Sequence, residues 1–261
     1  MPGAESPREG TDGSTEPPPA RGLIRAYAPP GPMRRSVVAW AARYAWCTGA
    51  HLELLVEQSV HRVVGASRAD RLVRAAAGAR LLVIPQWLPE AAELVDRAYE
   101  PVVVVPEDDP RSDQAPVVVA LAGRTGDEVL DAAFAESVRQ RAPMLALRVR
   151  EGAPRRETTE EEAVQANADE RRAWEDHLSL WHLVNPEVTV TTRVTDGDPV
   201  DVLVEQSRTS RLLVLGRSGR GRLLGALHRS PVAGVARTAR CPVLVVPPSG
   251  PPRRQWWPLS R

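Results

Sequence analysis

The fold is decided near the C-terminus by the stretch RLLVLGRSGRGRLLGALHRSPVAGVARTARCPVLVVP, residues 211–247. An apolar run ends at Gly216, a segment rich in glycine and arginine follows, and a second apolar run closes the stretch at residues 243–246. Ser230-Pro231 favours a helix start, because Ser is a good N-cap and Pro is favoured at the first helical position. The pattern therefore predicts strand, loop, helix and strand. A helix N-terminus behind a glycine loop presents free N–H groups and a positive dipole end, which favours an anion, with phosphate as the leading candidate.

Most of the predicted site lies in the glycine–arginine segment, residues 216–230. Its glycines allow close backbone approach to phosphates, and its four arginines stand without an acidic residue among them. In doubly wound sheets, ligands bind beyond the carboxyl ends of the strands, at the point where the strand order reverses. The spacing matches neither the Walker A motif nor GxGxxG. The predicted ligand-binding residues are Gly216, Arg217, Gly219, Arg220, Arg229 and Ser230, together with Ala122 and Gly123 at the end of an earlier strand.

Composition and charge exclude several classes of function. The chain has 261 residues, 43% of them hydrophobic, and a net charge of +1, which gives no support for non-specific nucleic-acid binding. Its two cysteines stand in no metal-ligand spacing and indicate a reducing compartment without disulfides. No apolar run approaches the roughly 18–20 residues that a membrane span needs. We therefore expect a soluble cytoplasmic protein without a metal site, a nucleic-acid partner or a membrane partner.

The chain also repeats itself. Residues 67–85 align without a gap with residues 198–216, at an offset of 131, and the closing runs EPVVVVP and CPVLVVP align at an offset of 141. The opening strands of the two copies, at residues 23 and 117, align at an offset of 94. Alternating strand and helix patterns of this kind indicate a parallel sheet covered on both faces. The sequence therefore predicts an α/β protein of two tandem, doubly wound, Rossmann-like domains.

The predicted boundaries follow from these offsets and from composition. A polar, Pro- and Gly-rich start indicates a disordered tail, and a turn-rich stretch separates the two domains. The predicted parts are a tail at 1–20, a degenerate domain at 21–106, a linker at 107–115, a domain with the glycine–arginine segment at 116–249, and a C-terminal tail at 250–261.

The changes in offset indicate what the first domain lacks. The offset rises from 94 at residue 23 to 131 at residues 67–85, because the second domain contains a crossover helix that the first domain lacks. The third strand of the first domain is therefore predicted to be absent or not parallel to its neighbour. The offset rises again, from 131 to 141, before the closing strand, because the first domain lacks the glycine–arginine segment: its residues 85–101 contain no glycine. The phosphate cradle is therefore predicted in the second domain only. The two closing strands would be edge strands, and we expect them to pair with each other in an intramolecular pseudo-dimer.

A further stretch of the second domain receives a structural interpretation. Residues 171–184 have helical spacing, with Trp174, Leu178 and Trp181 on one stripe that indicates core packing. The acidic run at residues 157–162 is expected to be a solvated loop.

Motif, strand order and duplication together resemble the universal stress protein family, whose ATP-binding members carry G-x2-G-x9-G-[S/T] after the fourth strand. Gly216, Gly219 and Ser230 match this motif, whereas Arg229 stands at its third glycine. Ala122 stands where those members usually have an Asp at the end of the first strand. The resemblance covers about residues 116–247, with a degraded copy before it, and it implies the strand order 3-2-1-4-5 for the second domain.

The resemblance implies a stress-response regulator that binds ATP or a related adenine nucleotide, with or without Mg²⁺, in the second domain only. No nucleophile stands beside a general base, so we assign no catalytic residue and expect signalling by conformational change, with weak ATPase activity as the less favoured case. The alternative is a nucleotide-free interaction or scaffold protein of the same fold, which would act on an unidentified protein partner through its surfaces. Homodimerisation stays open.

Overall fold

The computed structural model describes residues 22–31, 34–62, 67–108, 114–123, 125–151, 160–217 and 231–248. Strands and helices alternate along these ranges. In chain order they are β1 (Leu23–Tyr27), α1 (Arg34–Thr48), β2 (His51–Leu55), α2 (Glu57–His61), α3 (Arg68–Ala76), β3 (Leu81–Pro85), α4 (Ala91–Arg97), β4 (Val102–Val105), β5 (Val117–Leu121), α5 (Asp127–Gln140), β6 (Met144–Arg150), α6 (Glu160–Val184), β7 (Val190–Asp196), α7 (Pro199–Ser207), β8 (Leu212–Gly216), α8 (Pro231–Thr238) and β9 (Val243–Val246).

The strands of the described ranges form one nine-stranded sheet in the order β2-β1-β3-β4-β9-β8-β5-β6-β7. Neighbouring strands are parallel except β4 and β9, which pair antiparallel with Val103 opposite Leu244. This confirms the expected α/β fold with a mostly parallel sheet and the expected pairing of the two closing strands. We call residues 22–108 the N-terminal half and residues 114–248 the C-terminal half.

The two halves contribute unequal numbers of strands. In the C-terminal half the order β7-β6-β5-β8-β9 is 3-2-1-4-5 when its own strands are counted. The N-terminal half has β2-β1-β3-β4, so within the described residues it has no counterpart of β7. The short stretch after β2 holds only α2 before α3 begins, which is too little chain for a parallel crossover to a further strand. Consequently β2 is one edge of the sheet and β7 is the other.

Each face of the sheet carries a hydrophobic core that runs across both halves. The central strand β4 shows why, because successive side chains of a strand point to opposite faces. Val103 and Val105 pack in the core under α1 and α5, whereas Val102 and Val104 pack in the core under α3, α4, α7 and α8. All four valines are buried, as a strand covered on both faces requires.

Helices of the two halves also meet directly on both faces. On one face, α4 packs against α8. On the other, the Arg139 guanidinium of α5 lies 4.4 Å from the ring centroid of Tyr44 in α1, and its buried carboxylate partner is Glu136. The halves are thus joined by the sheet and by both helical layers.

Helix α6 differs from the expectation. It begins at Glu160, so residues 160–162 of the acidic run are helical and the solvated-loop prediction is wrong for them. Glu, Ala, Gln and Arg favour helix, and acidic residues near a helix start complement its dipole. Residues 157–159 lie outside the described ranges. The predicted stripe is confirmed, since Leu178 is buried and Trp174 and Trp181 pack on the core. No helix in the described part of the chain combines the length and apolarity of a membrane span.

Candidate functional site

The carboxyl ends of the central strands β5 and β8 lie side by side. In each half, we call the border of the sheet where the parallel strands end the strand-end edge, or simply the edge, as distinct from the edge strands β2 and β7. The two strands are parallel neighbours with Val119 opposite Val214, which brings the residues after β5 close to Gly216 at the end of β8. Ala122 and Gly123 are exposed there. The structure therefore brings together four of the predicted residues, namely Ala122, Gly123, Gly216 and Arg217. The other four, Gly219, Arg220, Arg229 and Ser230, lie outside the described ranges.

Gly216 is required by packing within the described structure. A Cβ built on it would lie 2.8 Å from Cγ2 of Val129 in α5, which is closer than real Cβ contacts allow. Its backbone φ is not positive, because Gly216 is the last residue of an extended strand, so backbone conformation does not require a glycine here. The close approach of α5 to β8 is thus a sufficient reason for a glycine at this position.

The turn after β5 leaves open space at the edge. Thr125 Oγ1 accepts a hydrogen bond from the Ala122 N–H at 2.8 Å, and the Thr125 N–H donates to the Ala122 carbonyl oxygen at 3.2 Å. Among the described residues, no atom would lie within 4 Å of a Cβ built on Gly123. The strand end is therefore held by a tight turn while its outer side stays uncovered by the described residues.

The start of α5, beside this turn, is acidic. Gly126 provides no side-chain cap, and Asp127 and Glu128 lie in the first turn, where their charges complement the helix dipole. Burial is the main cause that raises the pKa of Asp131, with Asp127 and Glu128 adding to it, whereas a hydrogen bond from Trp181 Nε1 at 2.7 Å acts in the opposite direction. Positive potential for an anion must therefore come from the glycine–arginine segment and α8, since α5 brings negative charge.

Arg217 makes a contact that its sequence neighbourhood did not indicate. Its Nη1 donates to the carbonyl oxygens of Ala98, at 2.6 Å, and Val95, at 3.3 Å, which lie at the C-terminal end of α4. The prediction placed this guanidinium on phosphate, whereas the structure gives one of its nitrogens to helix carbonyls of the N-terminal half. The partners are 119 and 122 residues away in the chain, so no local motif could reveal them.

The corresponding edge of the N-terminal half is filled by polar side chains. Tyr27 ends β1, and the pairing of β1 with β3 and of β5 with β8 makes it equivalent to Ala120 of β5, at an offset of 93 and not the 94 that the sequence alignment used. Its hydroxyl donates to Glu57 Oε2, and Arg68 Nη2 donates to the same hydroxyl and, at 2.8 Å, to Glu57 Oε2. The Arg68 guanidinium also lies 5.6 Å from the Tyr27 ring centroid. We call Tyr27, Glu57, Arg68 and Glu90 the N-terminal edge cluster, since Arg68 Nη1 approaches Glu90 Oε1 at 3.8 Å.

The electrostatics of the N-terminal edge cluster indicate a structural role. Burial, together with the hydrogen bond to Glu57, raises the pKa of Tyr27 to about 12, so the phenol stays protonated at neutral pH. The hydrogen bond from Tyr27 holds the pKa of Glu57 below its usual value, and Arg68 adds to this effect. The cluster therefore has a charged carboxylate, a charged guanidinium and a neutral phenol. None of these four residues was among the predicted site residues, although the large Tyr27 at a strand end was the available signal.

Metal binding finds no further support in this part of the chain. Among the described residues, no group of three or more His, Cys, Asp and Glu side chains is arranged to hold a metal ion.

Comparison with known sequences places this geometry in context. Residues 114–247, just over half of the chain, match the sequence profile of the Universal stress protein family. A universal stress protein of Mycobacterium tuberculosis is 33% identical over 158 residues, which are 58% of this chain and 52% of that protein. A second one from the same species is 34% identical over 161 residues, which are 59% of this chain and 54% of that protein. The chain spans about half the length of these curated relatives.

Solved structures share the fold over most of the chain. A functionally unknown protein of Pseudomonas aeruginosa superposes with a TM-score of 0.62 at 16% identity, covering 87% of this chain and 92% of that one. A universal stress protein of Archaeoglobus fulgidus superposes with a TM-score of 0.58 at 11% identity, covering 85% and 95%. At these identities the likeness concerns the fold alone. Because the family profile extends over more than half of the sequence, the chain belongs to the universal stress protein family.

Proposed function

We propose that the chain is a regulatory protein of the universal stress type that binds ATP or a related adenine nucleotide in its C-terminal half only. The observation that carries the proposal is the contrast between the two strand-end edges. In the C-terminal half, Ala122 and Gly123 are exposed, a Cβ on Gly123 would meet no atom of the described residues within 4 Å, and the glycine–arginine segment begins at Gly216 of the neighbouring strand. In the N-terminal half, the large Tyr27 stands where β5 has Ala120, and its hydroxyl accepts a hydrogen bond from Arg68. We further propose that the two halves are tandem copies of one domain.

The proposal assigns regulation to binding rather than to turnover. Hydrolysis would need a positioned base beside the attacking water, and among the described residues at this edge none is placed as a base. The nearest carboxylates, Asp127 and Glu128, lie in the first turn of α5, where they complement its dipole. A bound nucleotide would therefore act by stabilising one conformation of the chain.

Calorimetry on the full chain tests the proposal. Titration with ATP, with and without Mg²⁺, is expected to give one site per chain. The variant Gly123→Leu places a side chain in the open space after β5 and should abolish the heat, since nothing in the described structure would force that side chain away. Trp46→Leu is the matched control, because Trp46 is 88% exposed at the C-terminal end of α1, away from the strand ends in question. A stoichiometry of two, or no heat with the unmodified chain, would contradict the proposal.

A second candidate function is favoured by an apolar surface on α6. Leu180, Leu183 and Val184 are 66%, 76% and 59% exposed near the C-terminal end of this helix. Exposed apolar groups that lie together are typical of interaction surfaces. A nucleotide-free interaction protein would give no heat with ATP, and its partner binding would be unchanged by Gly219→Ala and lost on Leu183→Glu.

A further inference from the structure

Gln86 and Arg217 occupy equivalent positions in the two halves. The alignment that pairs residues 67–85 with residues 198–216 at an offset of 131 pairs Gln86 with Arg217 next. Each is the first residue after a strand, β3 or β8. Each donates its backbone N–H, at 2.9 Å, to a residue of the closing strand of its own half, Gln86 to Val105 and Arg217 to Val246. The backbone therefore aims the two side chains in equivalent ways.

Both side chains cross to the opposite half and end on a helix C-terminus. Arg217 Nη1 donates to the carbonyl oxygens of Val95 and Ala98 at the end of α4. Gln86 Nε2 donates to those of Ala236, at 3.2 Å, and Ala239, at 2.8 Å, at the end of α8. The last carbonyls of a helix have no partner within the helix, so each half supplies the cap that the other half needs.

The two caps differ in what they adjoin. Arg217 belongs to the glycine–arginine segment, and the helix that follows this segment, α8, packs against α4. The described residues on both sides of the segment therefore contact α4: Arg217, at its start, donates to the last carbonyls of α4, and α8, after its end, packs against α4. Gln86 adjoins a stretch, residues 85–101, that contains no glycine.

We propose that Arg217 is a positioning residue, through which α4 of the N-terminal half sets the strand end where the C-terminal half binds its nucleotide. The site is then complete only when the N-terminal half is in place, although that half binds no nucleotide itself. The proposal rests on the proposed function. It gives Arg217 a role through α4 in place of the direct phosphate contact that its charge suggests.

The chain itself offers the test of cap against charge. Gln86 shows that a neutral amide at this position can cap a helix of the other half, so Arg217→Gln keeps a capping group and removes the charge. Arg217→Ala removes both. We expect Arg217→Ala to weaken ATP binding about 10-fold, as the loss of a hydrogen bond from a charged donor predicts, and Arg217→Gln to stay within about 3-fold of the unmodified chain.

Hydrogen exchange in the nucleotide-free protein gives a readout that does not depend on the proposed function. The Ala98 N–H donates to the Leu94 carbonyl oxygen at 2.8 Å in the last turn of α4. Its exchange should be about 10-fold faster in Arg217→Ala and close to normal in Arg217→Gln. Gln86→Ala is the matched control: it should speed exchange at Ala239, the residue that follows α8, and leave ATP affinity within about 2-fold.

Each outcome decides a separate claim. If Arg217→Gln lost as much ATP affinity as Arg217→Ala while its α4 exchange stayed normal, Arg217 would be a direct ligand and the positioning role would be overturned. If hydrogen exchange at the end of α4 were unchanged in Arg217→Ala, Arg217 would not stabilise the end of α4, and the claim that it caps this helix would be wrong. If the unmodified chain bound no ATP, the proposed function and the claim on affinity would both fall, and the exchange data would still decide whether Arg217 holds α4.

Discussion

At the carboxyl ends of their strands, the two halves show opposite arrangements of equivalent positions. In the C-terminal half, Ala120 stands at the position equivalent to Tyr27 and small exposed residues follow β5, whereas in the N-terminal half the Tyr27 hydroxyl is bonded to Glu57 and Arg68. Within its described residues the N-terminal half has no counterpart of α6, and its sequence has no glycine–arginine segment. The comparison teaches that a strand-end edge without a ligand segment does not stay open. In the N-terminal edge cluster, Tyr27, Glu57 and Arg68 hydrogen-bond to one another, whereas Arg68 Nε and Glu90 Oε2 are buried without a hydrogen-bond partner among the described residues.

Gly216→Ala is expected to have the largest effect on stability. The added Cβ would lie 2.8 Å from Val129 Cγ2, and a short β-branched side chain in a packed helix cannot move away freely. We expect the free energy of unfolding to fall by about 1–3 kcal/mol, as for other overpacked cores, measured by urea denaturation. The double variant Gly216→Ala, Val129→Ala should recover part of that loss, because the two positions are coupled.

Gly123→Ala is the matched control for this comparison. Its Cβ would meet no atom of the described part of the chain within 4 Å, so the free energy of unfolding should change by less than about 0.5 kcal/mol, as for other surface substitutions. A fully stable Gly216→Ala protein would show that packing does not require this glycine. The ligand would then be the reason for it.

Arg68→Met is expected to have the next largest effect. It leaves Glu57 and Glu90 without their shared cation, and Tyr27 without one of its two hydrogen bonds. Because Arg68 and Glu57 are 30% and 35% exposed, solvent reduces the penalty, and we expect a loss of about 1–2 kcal/mol in the free energy of unfolding.

An exposed ion pair provides the control for Arg68. Arg172 pairs with Asp169 at 3.2 Å with both side chains more than half exposed, so Arg172→Met should cost less than about 0.5 kcal/mol. Equal losses in the two variants would show that the N-terminal edge cluster is an ordinary surface ion pair. It would then not be the structural filling of the edge.

The sequence predicted the backbone arrangement better than the side-chain contacts. The repeat offsets indicated that the third strand of the N-terminal half is missing, and the pairing of β4 with β9 followed from the expectation that the two closing strands would otherwise be uncovered edges. They could not indicate the contact of Arg217 with Ala98, which depends on how two helices of different halves pack. The start of α6 was misplaced because its first residues are charged and lack the apolar spacing on which the helix prediction relied. Gly216 was identified correctly as special, but its contact with Val129 is visible only in three dimensions.

The smallest expected effects concern pH, and they should have opposite signs in the two halves. The pKa of Glu57 is lowered in the folded chain, chiefly by the hydrogen bond from Tyr27, so its stabilising contribution is present above its unfolded pKa of about 4.5 and is lost as the pH falls through the folded value. The pKa of Asp131 is raised, chiefly by burial, so its charge is destabilising at neutral pH and this penalty disappears as the pH falls.

Two variants separate these contributions. Urea denaturation between pH 7 and about pH 3 should show the unmodified chain losing stability relative to Glu57→Gln and gaining stability relative to Asp131→Asn as the solution becomes acidic. Each change should stay below about 1 kcal/mol, because both carboxylates are partly exposed and screened. The amide oxygen of either variant can still accept the hydrogen bond from Tyr27 or Trp181, so the comparison isolates the charge. Slopes of the same sign would mean that the two edges hold their carboxylates in the same way, and the contrast between the open edge and the filled edge would lose its electrostatic basis.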